Sequence, residues 1–133
     1  MHILLDTHYL IWSLYNSSRL PEDLVMLLKD ENIWIEYSIV SLWEIEIKHL
    51  KHPEKFEFTA SDILYDAQNA GYHMIDVDPV HIFSLGSLQD ENVLNHKDPF
   101  DRMLIAQAKS ENMLLVTHDK RLAKYNETCV NYF

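Results

Sequence analysis

Four acidic side chains fall at positions where charge has work to do. Asp6 ends the apolar run Ile3-Leu4-Leu5, and Asp119 closely follows Leu114-Leu115-Val116, within Thr117-His118-Asp119. Both runs are continuously apolar, as strands buried on both faces are. Both aspartates therefore belong to the carboxyl ends of strands, the edge where open parallel sheets bind ligands. Asp101 shares a helical face with Leu104, Ile105 and Ala108, at i+3, i+4 and i+7. A carboxylate at the start of an inward apolar stripe needs a partner, and a metal ion is one. Glu44 lies in Ser41-Leu-Trp-Glu-Ile-Glu-Ile-Lys48 beside a competitor, Glu46, and the local pattern leaves the choice between them open. Carboxyl groups close enough to share a cation form an all-oxygen site, suited to magnesium or manganese rather than zinc. Such a site activates water and stabilises a leaving oxygen, which is phosphodiester hydrolysis without a nucleophilic side chain.

Each acid also has a purely structural reading. Asp6 and Asp119 each precede a helix and can cap it. Asp101, in the first turn of its helix, can meet the helix dipole, a reading weakened because Asp98, three residues before, already fills the cap. Glu44 can complete a capping box with Ser41, or pair with Lys48 at i,i+4.

The elements that must carry these residues alternate strand and helix. Strands are predicted over 2–6, 33–39, 73–77, 113–117 and, as an edge strand, 128–132. Helices are predicted over 8–15, 21–29 with Pro21 in the first turn, 42–51 capped by Ser41, 61–70 closed by Gly71, 80–87, 98–111 opened by Asp98-Pro99, and 119–125. The polar stretch 88–97 reads as a loop. This alternation predicts an α/β fold with a mainly parallel sheet, in one domain over 1–133.

Composition narrows the field. Two glycines leave no room for a glycine-rich phosphate cradle, and a single cysteine, Cys129, forbids an intrachain disulfide. His49 and His52 lie at i,i+3 without a cysteine nearby, so they read as solvated rather than as zinc ligands. Eleven basic against 21 acidic residues give a formal charge of −10, the opposite of a nucleic-acid binder's usual footprint. Acids that exist to hold divalent cations reconcile the two. Local cations near the acids, Lys48, Arg102, Lys120 and Arg121, are the candidates for phosphate contact. Asp6 interrupts the apolar start, and no stretch approaches transmembrane length, so no membrane role and a cytoplasmic protein are expected.

Four segments resemble the PIN domain, and more narrowly the VapC-type toxins of bacterial toxin–antitoxin pairs: L-L-D-T-H at 4–8, S-L-W-E-I-E-I-K at 41–48, D-P-F-D-R-M-L-I-A-Q-A at 98–108 and L-L-V-T-H-D at 114–119. The resemblance runs in order over nearly the whole chain. It implies Asp6, Glu44, Asp101 and Asp119 as metal ligands, Glu44 rather than Glu46, and Thr117 in support of the fourth acid. Asp98 and Arg102 look characteristic of the subgroup. It further implies a three-layer α/β/α fold, magnesium or manganese, cleavage of RNA, a homodimer and inhibition by a cognate antitoxin. One departure is the sequence His49-Leu-Lys-His-Pro53 after Lys48, where such proteins often carry a glycine. Two other readings compete. One is a catalytically silent PIN-like scaffold that only binds a partner. The other is a receiver or phosphotransfer α/β domain, which fits poorly because Thr7 and His8, not a second acid, follow Asp6.

Overall fold

A computed structural model describes residues 1–88 and 98–133. Five strands, β1 (His2–Leu5), β2 (Trp34–Ser38), β3 (His73–Ile75), β4 (Leu114–Thr117) and β5 (Val130–Tyr132), form one sheet in the order β3-β2-β1-β4-β5. Every pairing is parallel, including that of the edge strand β5. The α/β expectation holds, and the sheet is more uniformly parallel than the sequence reading required.

Alternation along β1 explains the layering. Ile3 and Leu5 belong to one apolar cluster with Leu10 of α1 (Thr7–Tyr15), Leu24 of α2 (Glu22–Lys29) and Ile63 of α4 (Ala60–Asn69). Leu4 points to the other cluster, with Leu104, Ile105 and Ala108 of α6 (Pro99–Ser110) and Leu122 of α7 (Lys120–Ala123). Successive strand residues face opposite sides, so β1 is buried on both faces and helices flank the sheet on each. Two further α-helices complete the described fold: α3 (Ile39–Lys51) sends Val40 to one cluster and Ile45 to the other, and α5 (Pro79–Ser84) follows β3. No helix among the described residues is long and apolar enough to cross a membrane.

The helix boundaries differ instructively at α3. The helix begins at Ile39, and its cap is Ser38, whose hydroxyl accepts from the Val40 N–H at 3.0 Å. Ser41 is therefore a buried residue inside the helix, and the capping box with Glu44 does not form. The strand β2 leads straight into α3, so the first serine takes the capping role. Pro21, predicted in the first turn of its helix, sits instead at the N-cap of α2, one residue before the helix begins. The predicted loop 88–97 falls, apart from Leu88, outside the described residues.

Gly71 sits just past the C-cap of α4 with φ +83°, and its N–H donates to the Gln68 carbonyl at 3.1 Å. A Cβ there would meet nothing within 4 Å, so a side chain costs only the left-handed backbone. Gly71→Ala should lower stability by about 1–2 kcal/mol, read as a fall in the urea midpoint with unchanged slope.

The strand order also fixes where a ligand site belongs. The chain leaves β1 toward β2 and β3, then returns to the far side of β1 as β4. The switch in direction lies between β1 and β4, and ligands settle outside the carboxyl ends of strands at such a point.

Candidate metal centre

Asp6 leaves β1 at that switch. Its N–H donates to the Val116 carbonyl at 3.0 Å, continuing the ladder to β4 for one residue. Its carboxylate then does two things. Oδ1 accepts from the Tyr9 N–H at 2.8 Å and caps α1. Oδ2 accepts from the Thr117 hydroxyl at 2.7 Å and the His118 N–H at 2.8 Å. The capping reading is thus realised without excluding the other. Burial pushes the Asp6 carboxyl up, while its hydrogen bonds from Tyr9, His118 and Thr117 pull it back.

Thr117 sits between two of the acids. It gives its proton to Asp6 and accepts from the Asp119 N–H at 3.0 Å. Its support of Asp119 runs through the backbone, while its hydroxyl proton goes to Asp6. Asp119 caps α7, accepting from the Arg121 N–H at 2.9 Å, and pairs with the Arg121 guanidinium at 2.7 Å.

Glu44 is buried on α3 with an exposure of 6%. Its Oε1 accepts from the Thr7 hydroxyl at 2.7 Å, and Oε2 pairs with Lys48 at 2.7 Å. Ser41 lies 2.9 Å from the Thr7 oxygen, which makes a short hydroxyl relay behind the carboxylate. Thr7 and Ser41 escaped the sequence reading as site residues. The signal was present: Thr7 directly follows Asp6, and Ser41 precedes Glu44 by one helical turn. Glu46 takes a different direction, with Oε1 3.5 Å from the Ala60 nitrogen at the start of α4.

Asp98 caps α6, accepting from the Phe100 N–H at 2.9 Å and the Asp101 N–H at 3.2 Å. Asp101, one turn in, is pushed up to about 7: burial is the main cause, followed by the negative charges of Asp98, Glu44 and Asp119, with Arg121 opposing. The two glutamate and aspartate positions carried on α3 and beyond β4 therefore act electrostatically on the one carried by α6. Arg102 turns to Tyr125, with Nη1 3.2 Å from the phenolic oxygen. Lys120 is exposed at the start of α7.

Among the described residues, Asp6, Glu44, Asp101 and Asp119 do not bring three carboxylate oxygens within 4.8 Å of one another. Like charges repel, and several of these carboxylates already hold local donors. The trio that does meet this spacing is elsewhere: Asp78, His81 and Glu111. There the His81 Nδ1 accepts from the Asp78 N–H at 3.0 Å, and Nε2 bonds Glu111 at 2.8 Å. Both ring nitrogens are spent, Nδ1 in closing the cap of α5 on Asp78 and Nε2 in fastening α5 to Glu111 at the end of α6, so the trio needs no metal to explain it.

The switch-point acids do fit a hard divalent cation. All their donor atoms are oxygens, and the neighbouring charges that add to burial in raising Asp101 are what such a cation offsets. Asp6, Glu44, Asp101 and Asp119 would hold it.

The chain matches the PIN domain family over residues 3–127. No curated protein matches it in sequence. Among solved structures it is similar to VapBC2 from Rickettsia felis, bound to a DNA fragment from its promoter, with TM-score 0.70 and 21% identity over 99% of this chain and 98% of that one. DNA-bound VapBC from Salmonella typhimurium gives TM-score 0.67 and 18% identity over 100% and 97%. VapBC-1 from nontypeable Haemophilus influenzae gives TM-score 0.67 and 15% identity over 100% and 97%. At such identities the likeness is one of fold.

Proposed function

Because the chain belongs to the PIN-domain family, we propose that it is a divalent-metal-dependent endoribonuclease, acting as one domain over residues 1–133, and the toxin of a type II toxin–antitoxin pair. The observation that carries this reading is Asp101: a half-buried carboxyl raised to about 7, first by burial and then by the charges of Asp98, Glu44 and Asp119. Charge concentrated at a sheet's switch point, at a cost to the fold, suits a site built for cations. A bound magnesium or manganese ion supplies the polarisation of the phosphate and the activation of water.

The chain's own groups would prepare that site. Thr117 and the His118 N–H fix the direction of one Asp6 oxygen, and Thr7 does the same for Glu44. Lys48 and Arg121 neutralise Glu44 and Asp119 respectively, so a cation competes with them for these two carboxylates. Both cations are then at hand for substrate phosphate. Incubation of purified protein with RNA should give cleavage that needs magnesium or manganese and stops in EDTA. Binding without any cleavage under these conditions would favour the silent-scaffold reading instead.

Metal binding should also register in stability. A ligand of the folded state at about a hundred times its Kd adds ~2.7 kcal/mol, so manganese should raise Tm by several degrees over EDTA. An unchanged Tm across a manganese titration would argue against a cation at these acids.

The solved VapBC structures and a toxin–antitoxin complex from Klebsiella pneumoniae suggest a partner. An antitoxin segment presenting arginine or lysine to the carboxylates would compete with the metal. Co-purification with the product of the adjacent gene, followed by loss of cleavage, is the expected result.

A further inference from the structure

A second feature lies beside the acids. A cavity of about 420 Å³ is walled by His8, Trp12, Arg19, Lys55, Phe56 and His118. Its position follows from the chain: His8 is two residues past Asp6, and His118 separates Thr117 from Asp119. The His118 N–H itself holds Asp6 Oδ2 at 2.8 Å. Phe56 joins the cavity to the other side of the site, because the Lys48 ammonium that pairs with Glu44 lies 5.4 Å from the Phe56 ring centroid.

The walls combine planar rings with the aliphatic side chains of Ile11, Ile45 and Ile63. The His118 ring meets Trp12 edge-on at 4.8 Å, and the Arg19 guanidinium lies over Trp12 at 4.1 Å. Stacked rings and guanidinium planes are the surfaces on which unpaired nucleobases settle. The charge is equally distinctive. The chain carries −10 overall, yet this cavity is lined by two permanent cations, Arg19 and Lys55, against one acid, Glu57. A polyanion repelled by most of the surface is attracted here. A protein segment bearing arginine or lysine, suited to the acids next door, is disfavoured at Arg19 and Lys55 for the same reason.

We propose that this cavity receives one unpaired base of a single-stranded RNA, stacked on its aromatic walls with the flanking phosphates at Arg19 and Lys55, and so selects the phosphodiester presented to the neighbouring acids. The proposal rests on the ribonuclease reading and adds to it a subsite with a stated ligand. Base stacking tolerates every base, so the size and edges of the walls would rank bases rather than admit only one.

Single abasic ribonucleotides walked along an RNA that the protein cleaves provide the test. One position near the scissile bond should raise KM about tenfold, with kcat within about threefold, when its base is removed. Arg19→Ala combined with Phe56→Leu should raise KM on intact RNA and show no further loss on that abasic RNA. Arg19→Ala alone, at an exposed residue, serves as a second variant should Phe56→Leu disturb the fold, and Tm checks both. Equal sensitivity of wild type and variant to the missing base, or no sensitive position at all, would overturn the proposal. Anisotropy of a labelled single-stranded RNA with Asp101→Asn protein separates the two readings. Binding with the same base dependence, but no cleavage by wild type, keeps the subsite and removes the nuclease. Cleavage without base dependence removes the subsite alone, and absence of both binding and cleavage removes both. Loss of a co-purifying protein in Arg19→Ala and Lys55→Ala, with RNA kinetics and binding unchanged, would make the occupant a protein segment and also overturn the proposal.

Discussion

Asp101→Asn should reduce RNA cleavage on the order of a thousandfold, the scale seen when a preorganised charge-stabilising group is lost, while the protein stays folded. Asparagine keeps the shape and removes the charge that a hard cation needs. The same substitution at Asp6 is a less clean test. Asp6 accepts three hydrogen bonds, one on Oδ1 and two on Oδ2. An asparagine amide must point its NH2 at one of those donors, leaving a buried donor unsatisfied at a cost of ~1–3 kcal/mol. Asp6→Asn should therefore lose both activity and stability. Asp98→Asn separates capping from chemistry: asparagine caps α6 about as well as aspartate, so cleavage should fall by no more than about tenfold. Full activity in Asp101→Asn would remove Asp101 from the site. Complete loss in Asp98→Asn would move the essential charge to the helix cap.

What made this arrangement legible was the coincidence of two periodicities. The unbroken apolar runs before Asp6 and Asp119 marked strands buried on both faces, and β1 and β4 are the central, directly paired strands. The i+3, i+4, i+7 stripe after Asp101 marked the inward face of α6, and Leu104, Ile105 and Ala108 are all fully buried. The capping readings were not rivals to this picture. Asp6, Asp98 and Asp119 all cap helices, and Asp6 and Asp119 do so where β1 and β4 turn into α1 and α7, so one aspartate serves as helix cap and strand-end carboxylate at once. Less visible was anything that depends on contacts between distant segments. Nothing local says that Thr7 will meet Glu44 across 37 residues, or that Thr117 will give its proton to Asp6 across 111. The cavity is a sharper case: its walls come from α1, the turn after it, α3, α4, the segment between those two helices, and the residue after β4. No window of sequence holds those aromatic rings together, so no motif announces them. The choice of Glu44 over Glu46 rested on resemblance. Structurally, the two diverge because Glu44 points toward Thr7 and Lys48 while Glu46 reaches α4.

The metal-free protein should be made more stable, not less, by Asp101→Asn, and only above mildly acidic pH. The Asp101 carboxyl is raised from 3.8 to about 7 in the folded protein, by burial first and then by Asp98, Glu44 and Asp119. Unfolded, it ionises near its ordinary value. Below that value both states hold the proton, and Asp101 contributes no pH dependence. Between the two values the unfolded chain has released its proton while the folded protein keeps it, so stability falls as pH rises. Above about 7 both states are ionised, and the whole penalty is present. Three units would correspond to ~4 kcal/mol at most, and partial solvent contact reduces this to a few kcal/mol. Asparagine carries no such penalty. Urea unfolding in EDTA should therefore find the variant more stable than wild type at pH near 8, with the advantage shrinking steadily to nothing as pH approaches about 4. Manganese should reverse the order at the higher pH, because the cation rewards the charge that the folded protein otherwise resists. An advantage that is independent of pH would point to packing rather than ionisation. A variant less stable than wild type at every pH would mean that Asp101 is held by partners that favour its charge, and that the strain at this sheet edge lies elsewhere.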